Sequence, residues 1–191
     1  MLQPRWMVSY SRKDSNFIEK LVAEYNIKSV LDFGCASGAT LFNIKSSNES
    51  SLVYGIDINP RAISYCQSRF SQQFESGYHF SQKISQKELR MFLDQNEIEA
   101  FDLVIFDRVL YCLDQENIQD ILSIIRPKAN LILIDDFVRD IEFKFTGYVH
   151  RNWDEILKKY GFSPVLNQAT VYSPVRNANA RTMLYTNGWT L

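Results

Sequence analysis

The stretch that decides the fold runs from Val30 to Thr40, VLDFGCASGAT. Ser29–Phe33 is a short apolar run of strand type, closed by Gly34. Ala39–Lys45 then reads as a helix beginning directly after Gly38. Between them Gly34, Ala36 and Gly38 stand at alternate positions. Glycines there permit a tight strand-to-helix turn and close backbone approach to a ligand. A dinucleotide fingerprint requires G-x-G-x-x-G/A, and its middle glycine is Ala36 here, with a methyl group where a pyrophosphate must approach. The Gly-Lys-Ser/Thr of a phosphate-binding loop does not follow either.

Outward from this turn, helices and strands alternate. Leu52–Ile58 (LVYGIDI) is a second strand, and Asn59-Pro60 starts a helix with a capping residue and a proline at its first position. Ile63, Cys66 and Phe70 form the inward face of that helix. Tyr78–Phe80 is a short third strand, and Ser85-x-x-Glu88 a capping box for a helix reaching Gln95. Phe101–Phe106 (FDLVIF) is the fourth strand; Asp114 caps a helix to Ile125, Pro127 breaks it, and Asn130–Ile134 (NLILI) is the fifth strand. Asn152-x-x-Glu155 is another capping box, with Gly161 stopping its helix at Tyr160. Val165–Tyr172 and Thr182–Thr186 read as a closing hairpin across Ser173–Ala180. Upstream, Asp14–Tyr25 is helical, with Phe17, Ile18, Leu21 and Val22 on one face.

Short apolar strands separated by helices imply an α/β fold: a doubly wound, mostly parallel seven-stranded sheet with an antiparallel C-terminal hairpin strand. Ligands of such sheets sit beyond the carboxyl ends of the strands, near the point where strand order reverses. The tips there are Asp32–Gly38, Asp57, the residues after Phe80, Asp107–Arg108 and Asp135–Asp136.

The composition agrees. At 191 residues, one domain is expected, with 1–13 as an N-terminal cap segment and 14–191 as the core. A chain of this size buries roughly 70% of its surface, so it needs no staples. Hydrophobic residues at 46% and charged residues at 23% exclude a disordered chain. No apolar run is long enough for a bilayer, and the N-terminus lacks the apolar core of a secretory signal. Cys35, Cys66 and Cys112 fit neither a disulfide framework nor a zinc pattern, so a reducing cytoplasm is expected. The net charge of −1 argues against a nucleic-acid partner. The charge is uneven: residues 29–138 are acidic and both flanks are basic. This is either a set of solvated faces or an acidic unit whose flanks meet an anionic substrate.

Asp57, nineteen residues after Gly38, suits a ribose, because a carboxylate can accept two parallel hydroxyl hydrogen bonds. The whole arrangement resembles the class I S-adenosylmethionine-dependent methyltransferases. VLDFGCASG resembles the family's first motif, VYGIDINPRAI its second, FDLVIFDRVLYCLD its fourth and IIRPKANLILIDDF its fifth. The resemblance implies that S-adenosylmethionine is the cofactor. Its methionine part would be held by the first loop, at Asp32, Gly34, Cys35, Ala36 and Gly38, with Asp107 beside it. Asp57 would bind the ribose and Ile58 would pack on adenine. The alternative is that Gly34 and Gly38 are turn glycines and Asp57 a capping acid. Three positions depart from the family: Ala36 for the middle glycine, Ser81 and Gln82 where an acid often faces adenine, and Lys128-Ala129 for a glycine pair. Ser81 and Gln82 can still bond the adenine edge through a hydroxyl or an amide.

The methyl acceptor needs orientation, and a hydroxyl acceptor also benefits from a general base. His150 is the candidate base, against a plain surface or capping role; Asp107 and Asp136 are the other catalytic candidates. His79 reads as structural, and Tyr10, Arg12 and Tyr111 as possible pocket walls. Asp107, Asp135 and Asp136 together offer an oxygen-rich Mg²⁺ site, partly like the catechol-type branch, although DRVLYCL after the fourth strand is closer to the metal-independent branch, which is favoured. No Asn/Asp-Pro-Pro-Tyr/Phe follows the fourth strand, which argues against base-amine methylation, and the lysine of ribose methyltransferases is missing at the fifth-strand tip. The expected reaction is methylation of oxygen or nitrogen on a small-molecule acceptor, a sugar or natural-product intermediate. The alternatives are a protein or RNA substrate, or a silent scaffold of the same fold. No membrane partner is expected, and the oligomeric state is left open.

Overall fold

The structure is a computed structural model and describes residues 17–82, 85–138, 151–169 and 180–189. Tyr10, Arg12, Asp14, His150 and most of the expected 173–180 loop lie outside the described residues.

The chain alternates α1 (Phe17–Glu24), β1 (Ser29–Phe33), α2 (Ala39–Ser47), β2 (Leu52–Asp57), α3 (Pro60–Ser71), β3 (Tyr78–Gln82), α4 (Gln86–Gln95) and β4 (Phe101–Asp107). Then come α5 (Gln115–Ile125), β5 (Ala129–Phe137), α6 (Trp153–Lys159), β6 (Ser163–Ala169) and β7 (Ala180–Thr186). The strands form a seven-stranded sheet in the order β3-β2-β1-β4-β5-β7-β6. β1 to β5 are mutually parallel, and β7 runs antiparallel between β5 and β6. The order reverses at β1/β4, as the alternating pattern requires of a doubly wound sheet.

The two faces carry separate cores. α1, α2 and α3 pack Leu21, Leu41, Ile44 and Phe70 over Val30, Leu103, Ile105 and Leu133. α4, α5 and α6 pack Phe92, Leu122, Trp153 and Leu157 over Leu31, Val104, Phe106 and Ile132. Neighbouring residues of one strand enter opposite cores, so the central strands are apolar throughout rather than alternating. At the amino end of the sheet, Asp102 Oδ2 accepts the Lys28 and Ser29 N–H groups at 2.7 and 3.1 Å, and the Asp102 N–H donates to Ser29 Oγ at 3.0 Å. These bonds set the start of β1 against β4. The expected caps form: Asn59 Oδ1 accepts from Arg61 N–H, Ser85 Oγ from Glu88 N–H, Asp114 Oδ1 from Asn117 N–H and Asn152 Oδ1 from Glu155 N–H.

Several strands are longer than their local sequence implies. β3 continues through Ser81 and Gln82, which pair with Ile56 and Asp57. β5 continues through Asp135, Asp136 and Phe137, because β7 supplies partners Thr182, Arg181 and Ala180. Aspartate is a poor strand former, and tertiary pairing overrides that preference here. β6 begins at Ser163, two residues before the expected Val165.

Gly55 has a specific reason to be glycine. A Cβ there would lie 2.5 Å from two Phe80 ring carbons and 2.9 Å from Cys35 Sγ. Gly55→Ala is expected to destabilise the fold by about 1–3 kcal/mol, the cost of overpacking a filled core. Chemical denaturation of both proteins checks this, and an unchanged midpoint contradicts it.

Candidate functional site

The turn after β1 is held by backbone and by one acid. The Gly34 and Cys35 N–H groups both donate to Ile56 O, at 2.8 and 3.0 Å. Gly34, Ala36 and Gly38 all take positive φ, at 85°, 47° and 68°. Ala36 is the non-glycine among them, which explains why glycine suits this position better. Its N–H donates to Asp57 Oδ2 at 2.9 Å, and its carbonyl accepts the Cys66 thiol at 3.3 Å. The second oxygen, Asp57 Oδ1, accepts the Asn59 N–H at 2.8 Å, at the start of α3. A Cβ on Gly34 would come within 2.8 Å of Val109 Cγ2, so the first loop and the loop after β4 are in direct contact.

Beside this turn lies a cavity of ≈ 510 Å³. Phe33, Ile56, Leu89, Val109, Leu113 and Ile121 give it apolar walls; Gly34, Asp57 and Ile58 line its strand-tip side, and Gln86, Arg108 and Asn117 add polar groups. Ile58 is 68% exposed, an apolar side chain presented at a ligand-sized opening. An apolar slot with a carboxylate beside it suits a nucleoside, base inside and ribose against the acid.

The other expected cofactor residues are placed differently. Asp32 is buried beneath the loop. The Cys35 thiol turns into the core against Cys66, and its hydrogen bond with Cys66, then burial, raise its pKa well above the usual thiol value. Ser81 and Gln82 are strand residues and do not line the cavity; Gln82 Nε2 donates to Ile58 O at 3.1 Å. His79 stacks on Tyr54 with ring centres 4.9 Å apart, and burial lowers its pKa.

The three acids considered for Mg²⁺ do not converge. Asp107 and Asp135 are register partners on one face, whereas Asp136, the next strand residue, enters the opposite face. Asp135 is already committed. Its Oδ1 accepts Arg108 Nε at 2.6 Å, Oδ2 accepts the Thr182 hydroxyl, and its carbonyl accepts the Arg108 N–H at 2.9 Å. Among the described residues no group of three His, Cys, Asp or Glu side chains is placed to hold a metal.

Arg108 stands at a strand tip named from the sequence, with no role expected for it there. It adopts φ 55°, lines the cavity, and lies 5.1 Å over the Phe137 ring, which also packs edge-on against Tyr111 at 5.2 Å. Asp136 is fully buried, and its Oδ1 accepts the Phe137 N–H at 2.7 Å. Its Oδ2 has no hydrogen-bond partner among the described residues. Burial pushes its carboxyl up to about 7, against the opposing pull of the Phe137 N–H and the Arg108 charge. Arg151 is buried nearby and donates to Leu110 O at 3.1 Å and Leu113 O at 2.5 Å, bracing the turn after β4.

A methyltransferase-domain family profile matches residues 26–182, from the loop before β1 into β7. The chain belongs to the class I S-adenosylmethionine-dependent methyltransferase family. Solved methyltransferases share the fold. Magnesium protoporphyrin IX methyltransferase from Synechocystis PCC 6803, with bound S-adenosylhomocysteine, aligns at TM-score 0.67 and 19% identity over 90% of this chain and 80% of that one. The methyltransferase domain of bacterial CtHen1 aligns at TM-score 0.68 and 14% identity over 91% and 97%. Mitomycin 7-O-methyltransferase MmcR aligns at TM-score 0.63 and 12% identity over 88% and 52%. Among curated proteins none matches. Among the described residues no helix is long and apolar enough to cross a membrane.

In this methyltransferase the buried Asp136 has a consequence for stability. Its folded pKa of about 7 lies above the ordinary value of 3.8, so between these values the native state keeps a proton that the unfolded chain has released. Its contribution to stability therefore falls as pH rises through that window and stays low above it. The charged groups facing it are Arg108, Asp135 and Arg151. Asp136→Asn is expected to flatten the pH dependence, gaining up to ~4 kcal/mol on the wild type between pH 4 and 8. Denaturation curves across that range decide it; parallel pH profiles for the two proteins contradict it.

Proposed function

We propose that the protein transfers the methyl group of S-adenosylmethionine to an oxygen or nitrogen atom of a small-molecule acceptor, a sugar or natural-product intermediate. The observation that carries this reading is the Asp57 carboxylate, tied to the Ala36 and Asn59 N–H groups beside the ≈ 510 Å³ apolar cavity. Each Asp57 oxygen has a second lone pair, which leaves capacity for ribose hydroxyls. Ile58, Val109 and Leu89 supply the apolar surface an adenine needs. We read Gly34 and Gly38, whose positive φ shapes the tight loop, as holding the methionine end together with the buried Asp32.

The cofactor supplies a methyl group already activated on a sulfonium. The chain's work is then to hold the acceptor in line and to exclude competing water. Where the acceptor is a hydroxyl, His150 takes its proton, with Asp107 and Asp136 shaping the charge at the strand tips. Metal chemistry is disfavoured because Asp135 is spent on Arg108 and Thr182, and Asp136 faces away from Asp107. The acidic central unit, net −6 over residues 29–138, disfavours a nucleic-acid substrate. We place the protein in the cytoplasm, where Cys35, Cys66 and Cys112 stay as free thiols, and read the chain as one catalytic domain capped by residues 1–13.

Calorimetry with S-adenosylhomocysteine tests the cofactor reading. The wild type binds, and Asp57→Ala, with its fold checked by circular dichroism, weakens binding by about 1.5–3 kcal/mol, the range for charge-assisted hydrogen bonds. Failure of the wild type to bind would leave a silent scaffold. A labelled-methyl transfer assay on a metabolite extract tests the chemistry. His150→Ala is expected to lower turnover about 10²–10⁴-fold while cofactor affinity holds. Wild-type activity is expected to survive excess EDTA; its loss, restored by Mg²⁺, overturns the metal-free reading.

A further inference from the structure

A second cavity of ≈ 350 Å³ lies beyond the β5 tip. It sits between the first turn of α6 and the side of β6 and β7 that carries Asn167, Arg181 and Met183. Val138, Trp153 and Met183 give it an apolar floor, each more than nine-tenths buried, at 7%, 1% and 1% exposure. Asn152, Asp154, Asn167 and Arg181 give it a polar wall. It opens on the same sheet edge as the cofactor cavity, because Val138 directly follows β5 and Arg181 is the register partner of Asp136. The two cavities share no lining residue.

The polar wall has hydrogen-bonding capacity to spare. Asn152 Oδ1 caps α6, so its amide NH₂ remains. Asp154 Oδ1 accepts the Tyr185 hydroxyl at 2.7 Å, so Oδ2 remains. Asn167 Oδ1 accepts Arg181 Nε, so the Asn167 NH₂ remains; Arg181 Nη2 donates to Asn167 O at 3.3 Å, so Nη1 remains. Among the described residues, three nitrogen donors and one carboxylate oxygen are thus uncommitted. One guanidinium and one carboxylate leave the wall without net charge.

That chemistry selects a ligand class. A phosphate would meet one cation and a repelling carboxylate. A wholly apolar ligand would strip water from four polar side chains without replacing their hydrogen bonds. A ligand rich in hydroxyls accepts from Asn152, Asn167 and Arg181 and donates to Asp154. A saccharide ring also carries C–H faces suited to Trp153 and Met183. The volume is at the small end for ligand sites, which suits a single ring.

We propose that this cavity binds the saccharide or polyol part of the methyl acceptor. The ligand's role as acceptor rests on the methyltransferase reading above; its binding does not. The test uses the full chain labelled with ¹⁵N, following the Trp153 indole N–H signal, assigned with Trp153→Phe. Methyl glycosides of glucose, galactose and mannose are titrated in turn, with inorganic phosphate as the anion arm. A saturable shift with at least one glycoside and none with phosphate is expected. Binding should weaken at least about tenfold in both Arg181→Gln and Asp154→Asn, while S-adenosylhomocysteine affinity is unchanged. No saturable shift with any glycoside, an undiminished shift in both variants, or saturation by phosphate overturns the proposal. S-adenosylhomocysteine is titrated into the same sample. Its failure to bind sinks the methyltransferase reading alone, and its binding without any glycoside response sinks the cavity proposal alone.

Discussion

At the tip of β2, the Asp57 carboxylate accepts the Ala36 N–H through one oxygen and the Asn59 N–H through the other. Those two bonds join the loop after β1 to the first turn of α3. The first of them falls where the loop is strained, because Ala36 sits at φ 47°, a conformation an alanine does not choose. Holding a non-glycine residue there costs about 1–3 kcal/mol. A hydrogen bond to a charged acceptor contributes about 1.5–3 kcal/mol, so the Asp57 bond to Ala36 alone offsets most of the strain. The fixed loop then sets its neighbours: Gly34 lies against Val109, and Gly38 against Cys66. The acid proposed to bind the ribose is therefore also part of what shapes the loop.

The same sheet edge has a second problem, an excess of negative charge. Asp32, Asp57, Asp107, Asp135 and Asp136 all end up at or near the strand tips. The structure handles them by different means. Asp57 is compensated by backbone N–H groups. Asp135 has the Arg108 guanidinium and the Thr182 hydroxyl, one for each oxygen. Asp136 has the Phe137 and Tyr111 N–H groups, but burial outweighs them and raises its pKa to about 7. Arg108 serves two ends at once, since its backbone turn and side chain both grip Asp135 while its guanidinium lies over Phe137. That places a cation at the boundary between the cofactor cavity and the β5 tip.

What the sequence reveals and what it hides divides by range. Asn59, Ser85, Asp114 and Asn152 were legible as caps because each bonds a backbone group within three residues. Gly34, Asp57 and Ile58 were legible because a strand, a tight turn and a second strand tip place them together with little help from elsewhere. The length of β5 was not, because its last residues pair with β7 more than forty residues later. That extension also sets how the three acids are placed. Once Asp135 and Asp136 are both inside a strand, the period of two sends them to opposite faces, and a shared metal site among the three acids is lost. Ser81 and Gln82 were misjudged in the same way, as loop residues rather than partners of β2. Gly55 was invisible because its reason, the Phe80 ring, comes from the neighbouring strand.

The antiparallel strand gives the last of these long-range effects its functional weight. By entering between β5 and β6, β7 carries Arg181 and Met183 to the edge where the parallel strands end. The cofactor cavity is lined by residues from 33 to 121, whereas the polar cavity is lined by residues from 138 to 183. The two share no lining residue. On the proposal that the polar cavity takes the acceptor, substitutions in α6, β6 and β7 change what is recognised there and leave the Asp57 loop intact. A fold divided this way lets one cofactor chemistry be kept while the proposed acceptor site varies.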